Sequence, residues 1–158
     1  MKYLLSISLL SFLLVISISS CKEKGCTDPN SISYESDAEE DNGSCEYGGL
    51  GGSVELVAKP EHHGDPILSG DSAGYNDSLF IKFNAIESPG SNPSNYDLVV
   101  VGDSGEDHVH LDGLKRGLYY IYMTGWDIVG NERVFGGIPI KIEQTSGEFV
   151  IKVPVSEP

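Results

Sequence analysis

From Ser53 onward apolar and polar residues alternate in short runs. Successive side chains of a strand point to opposite faces, so such alternation marks strands with one buried face. The runs cover residues 53–59, 78–86, 96–101, 107–112, 117–124, 133–142 and 148–155, and clusters of Gly, Pro, Asn and Asp separate them. Those four are ordinary turn residues. The pattern predicts an all-β, seven-stranded antiparallel β-sandwich over residues 53–158, long enough for one core. No helical periodicity competes.

The inward-facing sets follow from the phase of each run. Val54, Leu56 and Ala58 form one, and Leu79, Ile81, Phe83 and Ala85 the next. Tyr119, Ile121 and Met123, then Ile138, Ile140 and Ile142, and finally Phe149, Ile151, Val153 and Val155 complete the expected core. Pro139 and Pro154 each lack a ladder donor, which predicts edge strands or bulges at those points. Trp126 is expected at a turn, capping the core.

The stretch DHVHLDGLKRGLYYIYMTGWD, from Asp107 to Asp127, joins the fold signal to candidate chemistry. Alternation puts Val109 and Leu111 on one face and His108 and His110 on the other. Within it, Gly113-Leu114-Lys115-Arg116-Gly117-Leu118-Tyr119-Tyr120-Ile121 resembles the Gly-Leu-x-Pro-Gly-x-Tyr-x-aliphatic signature of prealbumin-like β-sandwiches, the carboxypeptidase regulatory-like and Cna-B-type domains. Arg116 stands where that family usually has Pro. The resemblance implies a prealbumin-like sandwich, with the glycines making the turn into the next strand.

The N-terminus has a different character. Lys2 precedes an apolar run from Tyr3 to Ile18, and Ile18-Ser19-Ser20 then precedes Cys21. The run is short for a spanning helix, which needs roughly 20 apolar residues. It resembles a secretory signal peptide, residues 1–20, ending in a lipoprotein cleavage box. That resemblance implies cleavage before Cys21 and acylation of its thiol and new amino group. An anchor to the membrane through the lipid is the consequence. Lys22-Glu23-Lys24 lacks the Asp that retains lipoproteins at the inner membrane, so an outer-membrane, surface-exposed location is expected by analogy.

The chain has three cysteines, and lipidation of Cys21 leaves Cys26 and Cys45 as a pair. A bridge closing a loop of that size removes denatured-state entropy worth about 3 kcal/mol. The segment between them, Gly25 to Tyr47, is similar to a Gly-Cys-Thr-Asp-Pro…Asp-x-Gly-Ser-Cys-x-Tyr module of secreted and surface-attached Gram-negative proteins, with Ser31 and Ser33 where Ala and Asn are usual. The resemblance implies a short extracellular spacer with no catalysis. Asp28, Asp37, Glu39 and Asp41, with Asn42, offer oxygen ligands of the kind calcium takes. The spacing is not that of an EF-hand, since Gly43 falls one position late for a loop starting at Asp37. A solvated acidic spacer is the competing reading. The glycines between Gly48 and Gly52 predict a flexible boundary, so residues 21–52 form a unit apart from 53–158.

The net charge is -14, or -14 - 1 = -15 once Lys2 is removed with the leader. Nucleic-acid binding is excluded by the missing basic patch, and an unidentified protein or polysaccharide is the expected partner. Gly102-Asp103-Ser104-Gly105 resembles a serine-protease nucleophile loop and Gly70-Asp71-Ser72-Ala73-Gly74 a nucleophile elbow. Neither has the required context, and both read as turns.

The chain's four histidines fall as two pairs, His62-His63 and His108-x-His110. A strand His-x-His completed by a loop His fits zinc or copper. Two solvated pairs beside Glu61, Asp65, Glu106 and Asp107 are the alternative. Intradiol dioxygenases, which also use a prealbumin-like sandwich, place His-x-His and two tyrosines around iron. Tyr75 or Tyr96 would supply phenolates by that resemblance, but Gly105-Glu106-Asp107 replaces the family's Arg-Pro before the first His. The expected function is therefore a lipid-anchored, non-enzymatic accessory or binding module. A transition-metal-binding protein stands second and a dioxygenase-like enzyme third.

Overall fold

A computed structural model describes residues 22–67 and 77–158. The leader, Cys21, the Gly70–Gly74 string and Tyr75 lie outside the described residues. Among the described residues there are ten strands: β1 (Lys24–Gly25), β2 (Glu40–Asp41), β3 (Leu50–His62), β4 (Asp65–Pro66), β5 (Ser78–Phe83), β6 (Leu98–Val101), β7 (Val109–Leu114), β8 (Gly117–Asp127), β9 (Glu132–Ile142) and β10 (Ser146–Val155). A 3-10 turn spans Pro93–Asn95. Each expected run overlaps one of the longer strands, but the count is ten and not seven, three of them being two-residue pieces.

One four-stranded sheet has β3 at its centre, with β10 on one side and β4 and β7 on the other. The second runs β6, β5, β8, β9. Both contribute to a shared hydrophobic cluster that includes Val54, Leu56, Leu79, Ile81, Val109, Tyr119, Ile121, Met123, Val134, Ile142 and Val153. The inward sets read from alternation are largely those found. The all-antiparallel arrangement is corrected: β10 runs parallel to β3, from Ser146 opposite Ser53 to Val155 opposite His62. Alternation specifies a strand's faces but not its neighbour or direction. No hairpin dictates the direction of two strands so far apart in the chain. Pro139 and Pro154 lie on β9 and β10, the edges of their sheets.

Two further expectations shift. Ala85 belongs to a second cluster, on the outer face of the β5-containing sheet, with Tyr96, Tyr120, Tyr122, Phe80 and Phe135. β5 ends at Phe83, and Asn84 takes a positive φ of 54°, which breaks the alternation. Trp126 lies within β8, opposite Arg133, rather than at a turn.

The glycine cluster is not a free linker. Leu50, Gly51 and Gly52 are part of β3. A Cβ on Gly52 would come within 2.0 Å of the Leu114 carbonyl oxygen, so only glycine lets the two backbones approach. Gly48 N–H donates to Asn84 Oδ1 (2.7 Å), and Gly49 N–H donates to the buried Tyr119 hydroxyl (2.9 Å). That hydroxyl in turn donates to Lys115 O (2.6 Å). The acidic module is thereby seated on the sheets.

Cys26 and Cys45 form a disulfide. The module's own ends are tied as well: Tyr47 donates to Asp28 Oδ2 (2.7 Å), and buried Ser31 exchanges hydrogen bonds with the Glu46 backbone through its hydroxyl (2.9 and 3.0 Å).

Candidate metal site

β3 and β7 pair antiparallel, with His110 opposite Val57 and Val109 opposite Ala58. Directly opposed residues share a face. Val109 and Ala58 therefore enter the core, while His108 and His110 stand on the outer face with Glu55 and Lys59. There the two imidazoles meet edge to face, centroids 4.4 Å apart.

Their nitrogens are arranged as a pair. His108 Nδ1 lies 2.6 Å from Asp107 Oδ1 and His110 Nδ1 lies 2.8 Å from Glu55 Oε1. The two Nε2 atoms face one another at 2.6 Å. A carboxylate only accepts, so each Nδ1 carries the proton, and a neutral ring then presents a bare Nε2. Two bare nitrogens at this separation repel unless a proton or a cation lies between them. Imidazole nitrogens suit zinc and copper, and a carboxylate on the remote nitrogen is the usual support of a metal-ligating His. The donor types fit such an ion through two protein ligands, but tetrahedral zinc at about 2.0–2.1 Å from each Nε2 needs them roughly 3.3 Å apart, so the rings must open from 2.6 Å to admit it. Asp107 is itself fixed: the hydrogen bond from His108, then Lys59 Nζ at 3.4 Å from Oδ2, holds its carboxyl below the usual range.

The other pair is elsewhere. His62 is in phase with Val54, Leu56 and Ala58 on β3, and so faces away from Glu55 and Lys59. Sequence reasoning completed His108 and His110 with His62 or His63, but the structure keeps the pairs apart: His62 is on the inward-facing side of β3 and His63 in the turn after it, whereas His108 and His110 stand on the outer face at β7. His62 is buried and stacks on His63. Its Nδ1 lies 2.6 Å from Asp127 Oδ2 and its Nε2 2.9 Å from Glu157 Oε2. The donor atoms of His62, His63 and Glu157, and those of His62, Asp127 and Glu132, cluster within 4.8 Å. With a carboxylate on each ring nitrogen, His62 is best satisfied as an imidazolium that ties β3 to the end of β8 and to the C-terminal tail.

The hydrogen bond to Asp127, then that to Glu157, raises the His62 pKa above its ordinary value. A raised histidine stabilises the fold fully below the unfolded value of about 6.5, and that stability is lost as pH rises through the folded value. Thermal melting between pH 5.5 and 8.5 should therefore fall more steeply for wild type than for His62→Gln. Parallel curves would show that His62 is not held as a cation. Asp77, which sequence reasoning passed over, is fully buried, and burial pushes its pKa up to about 7. It acts equally in both proteins, so the comparison isolates His62.

The remaining candidates are used differently. Asp28 accepts from Asn30 N–H and Tyr47, Asp37 from Ser36, and Asp41 from Gly43 N–H. With Glu39, they form none of the clusters of three converging donors found among the described residues. Asp28 and Asp41 thus serve local turns. Tyr96 donates to Gly90 O (2.8 Å) inside the outer cluster of the other sheet, away from His108 and His110. Ser104 sits in a turn where Glu106 N–H reaches Asp103 O. Glu55 went unnoticed because it is 55 residues from His110, and its outward phase on β3 was the only available signal.

No family model matches the chain, and neither the curated proteins nor the solved structures contain a match to it.

Proposed function

We propose that this chain is a lipid-anchored cell-envelope protein whose prealbumin-like β-sandwich serves a non-enzymatic binding role, holding a transition-metal ion at His108 and His110. The carrying observation is the pair of Nε2 atoms 2.6 Å apart, each ring held through Nδ1 by a carboxylate. Asp107 and Glu55 accept from Nδ1–H, which orients the rings and fixes the tautomer whose Nε2 is the ligating nitrogen. A bound zinc or copper ion would supply Lewis acidity or storage at the surface, with open positions left for water or a partner's ligand. The sequence features that support the anchor are the apolar leader and the small residues before Cys21.

Calorimetric titration of zinc and of copper into the full chain tests the metal reading. Wild type should bind one ion per chain, and a His108→Ala, His110→Ala variant should bind none while melting at the same temperature. Binding that survives the double change, or is absent from wild type, removes the site.

A further inference from the structure

We infer that a second, independent site binds an acidic sugar on the outer face of the β5-containing sheet. A groove of about 330 Å³ there is lined by Phe80, Ser91, Tyr122, Thr124, Arg133 and Phe135, among others. Its floor is aromatic: Phe80 and Phe135 flank Tyr122 with ring centroids 5.8 and 6.3 Å away. This surface is unusual for a sheet face turned away from the core, where alternation normally places polar residues.

Its polar groups are uncommitted. Lys24, Lys59, Lys82, Arg116, Lys141 and Lys152 each pair with a carboxylate. Arg133 is exposed and has no such partner among the described residues, although the chain carries a net charge of -14. Lys22 and Lys115 are also without a carboxylate partner among the described residues, but Lys22 lines no part of this groove and the groove at Lys115 contains Glu46 and the paired Arg116. The hydroxyls of Ser91, Tyr122 and Thr124 likewise have no hydrogen-bond partner among the described residues.

The combination selects a ligand class. Aromatic faces receive the C–H face of a sugar ring, scattered hydroxyls exchange hydrogen bonds with its own, and a guanidinium takes a carboxylate through two parallel bonds. One cation suits one carboxylate per sugar, whereas a polyphosphate needs several cations and would be repelled by the rest of this surface. The groove reaches the edge strand β9, but the backbone of Phe135 there is already paired with Ser156 (2.9 and 3.0 Å), which disfavours a peptide added as a strand. None of this depends on the metal site.

Calorimetry on the full chain with a chelator present tests the inference. The probes are tetramers of galacturonic and of mannuronic acid, with the methyl-esterified galacturonate tetramer as the uncharged match. At least one acid tetramer should bind, and Arg133→Gln should weaken it roughly tenfold or more, the loss expected for a charge-assisted pair. Esterification should weaken it similarly. Tyr122→Phe, which removes only a hydroxyl, should weaken it less, and His108→Ala with His110→Ala not at all. Absence of binding to both acid tetramers at millimolar concentration overturns the proposal. So does binding indifferent to Arg133 or to esterification, or Arg133-dependent capture of an oligoglutamate peptide in place of either sugar.

Discussion

Replacing Ile121 with Ala lowers the free energy of unfolding by about 2–5 kcal/mol, the usual cost of a cavity in a packed core. Ile121 is fully buried, lies opposite Ile81 on β5 and Ile138 on β9, and belongs to the cluster shared by both sheets. Its neighbours are held by regular ladders on both sides, so little collapse can fill the void. Lys115→Ala, in the exposed turn before β8, should cost less than about 0.5 kcal/mol. Denaturant melts of the two variants measure the difference. Equal, small losses would mean that Tyr120 and Tyr122, and not Ile121, fill the shared core.

Cys21→Ser should move the protein wholly from the membrane to the soluble fraction. On the proposed anchor two or more acyl chains hold the protein, and the described residues offer no substitute, since the chain's net charge of -14 is repelled by anionic headgroups. Among the described residues no helix is long and apolar enough to cross a membrane. Fractionation of cells making either protein gives the answer. A variant that stays fully membrane-bound contradicts the lipid anchor.

Much of the fold was legible because alternation reports burial directly. Val54, Leu56 and Ala58, or Tyr119, Ile121 and Met123, announce their common face, and all six are buried. What alternation lacks is direction and partner. The parallel pairing of β3 with β10 joins segments too distant for any turn to signal it. Composition misled at Gly48 to Gly52, where glycine reads as flexibility. In the fold it supplies closeness, against Tyr119 at Gly48 and against the Leu114 backbone at Gly52.

The site shows the same limit. His108 and His110 were visible from their spacing, since residues two apart on a strand share a face. Their supports were only half visible. Asp107 adjoins His108, but Glu55 reaches His110 from another strand, and only register could reveal it. Register also separates His62 from this pair, because parity along β3 sends it to the opposite face.

Anomalous diffraction from a crystal grown with zinc tests the central claim most directly. A peak roughly 2.0–2.1 Å from Nε2 of both His108 and His110, the usual zinc–imidazole distance, is the predicted result. A peak at His62, His63 and Glu157 instead, or none at either cluster, would contradict it.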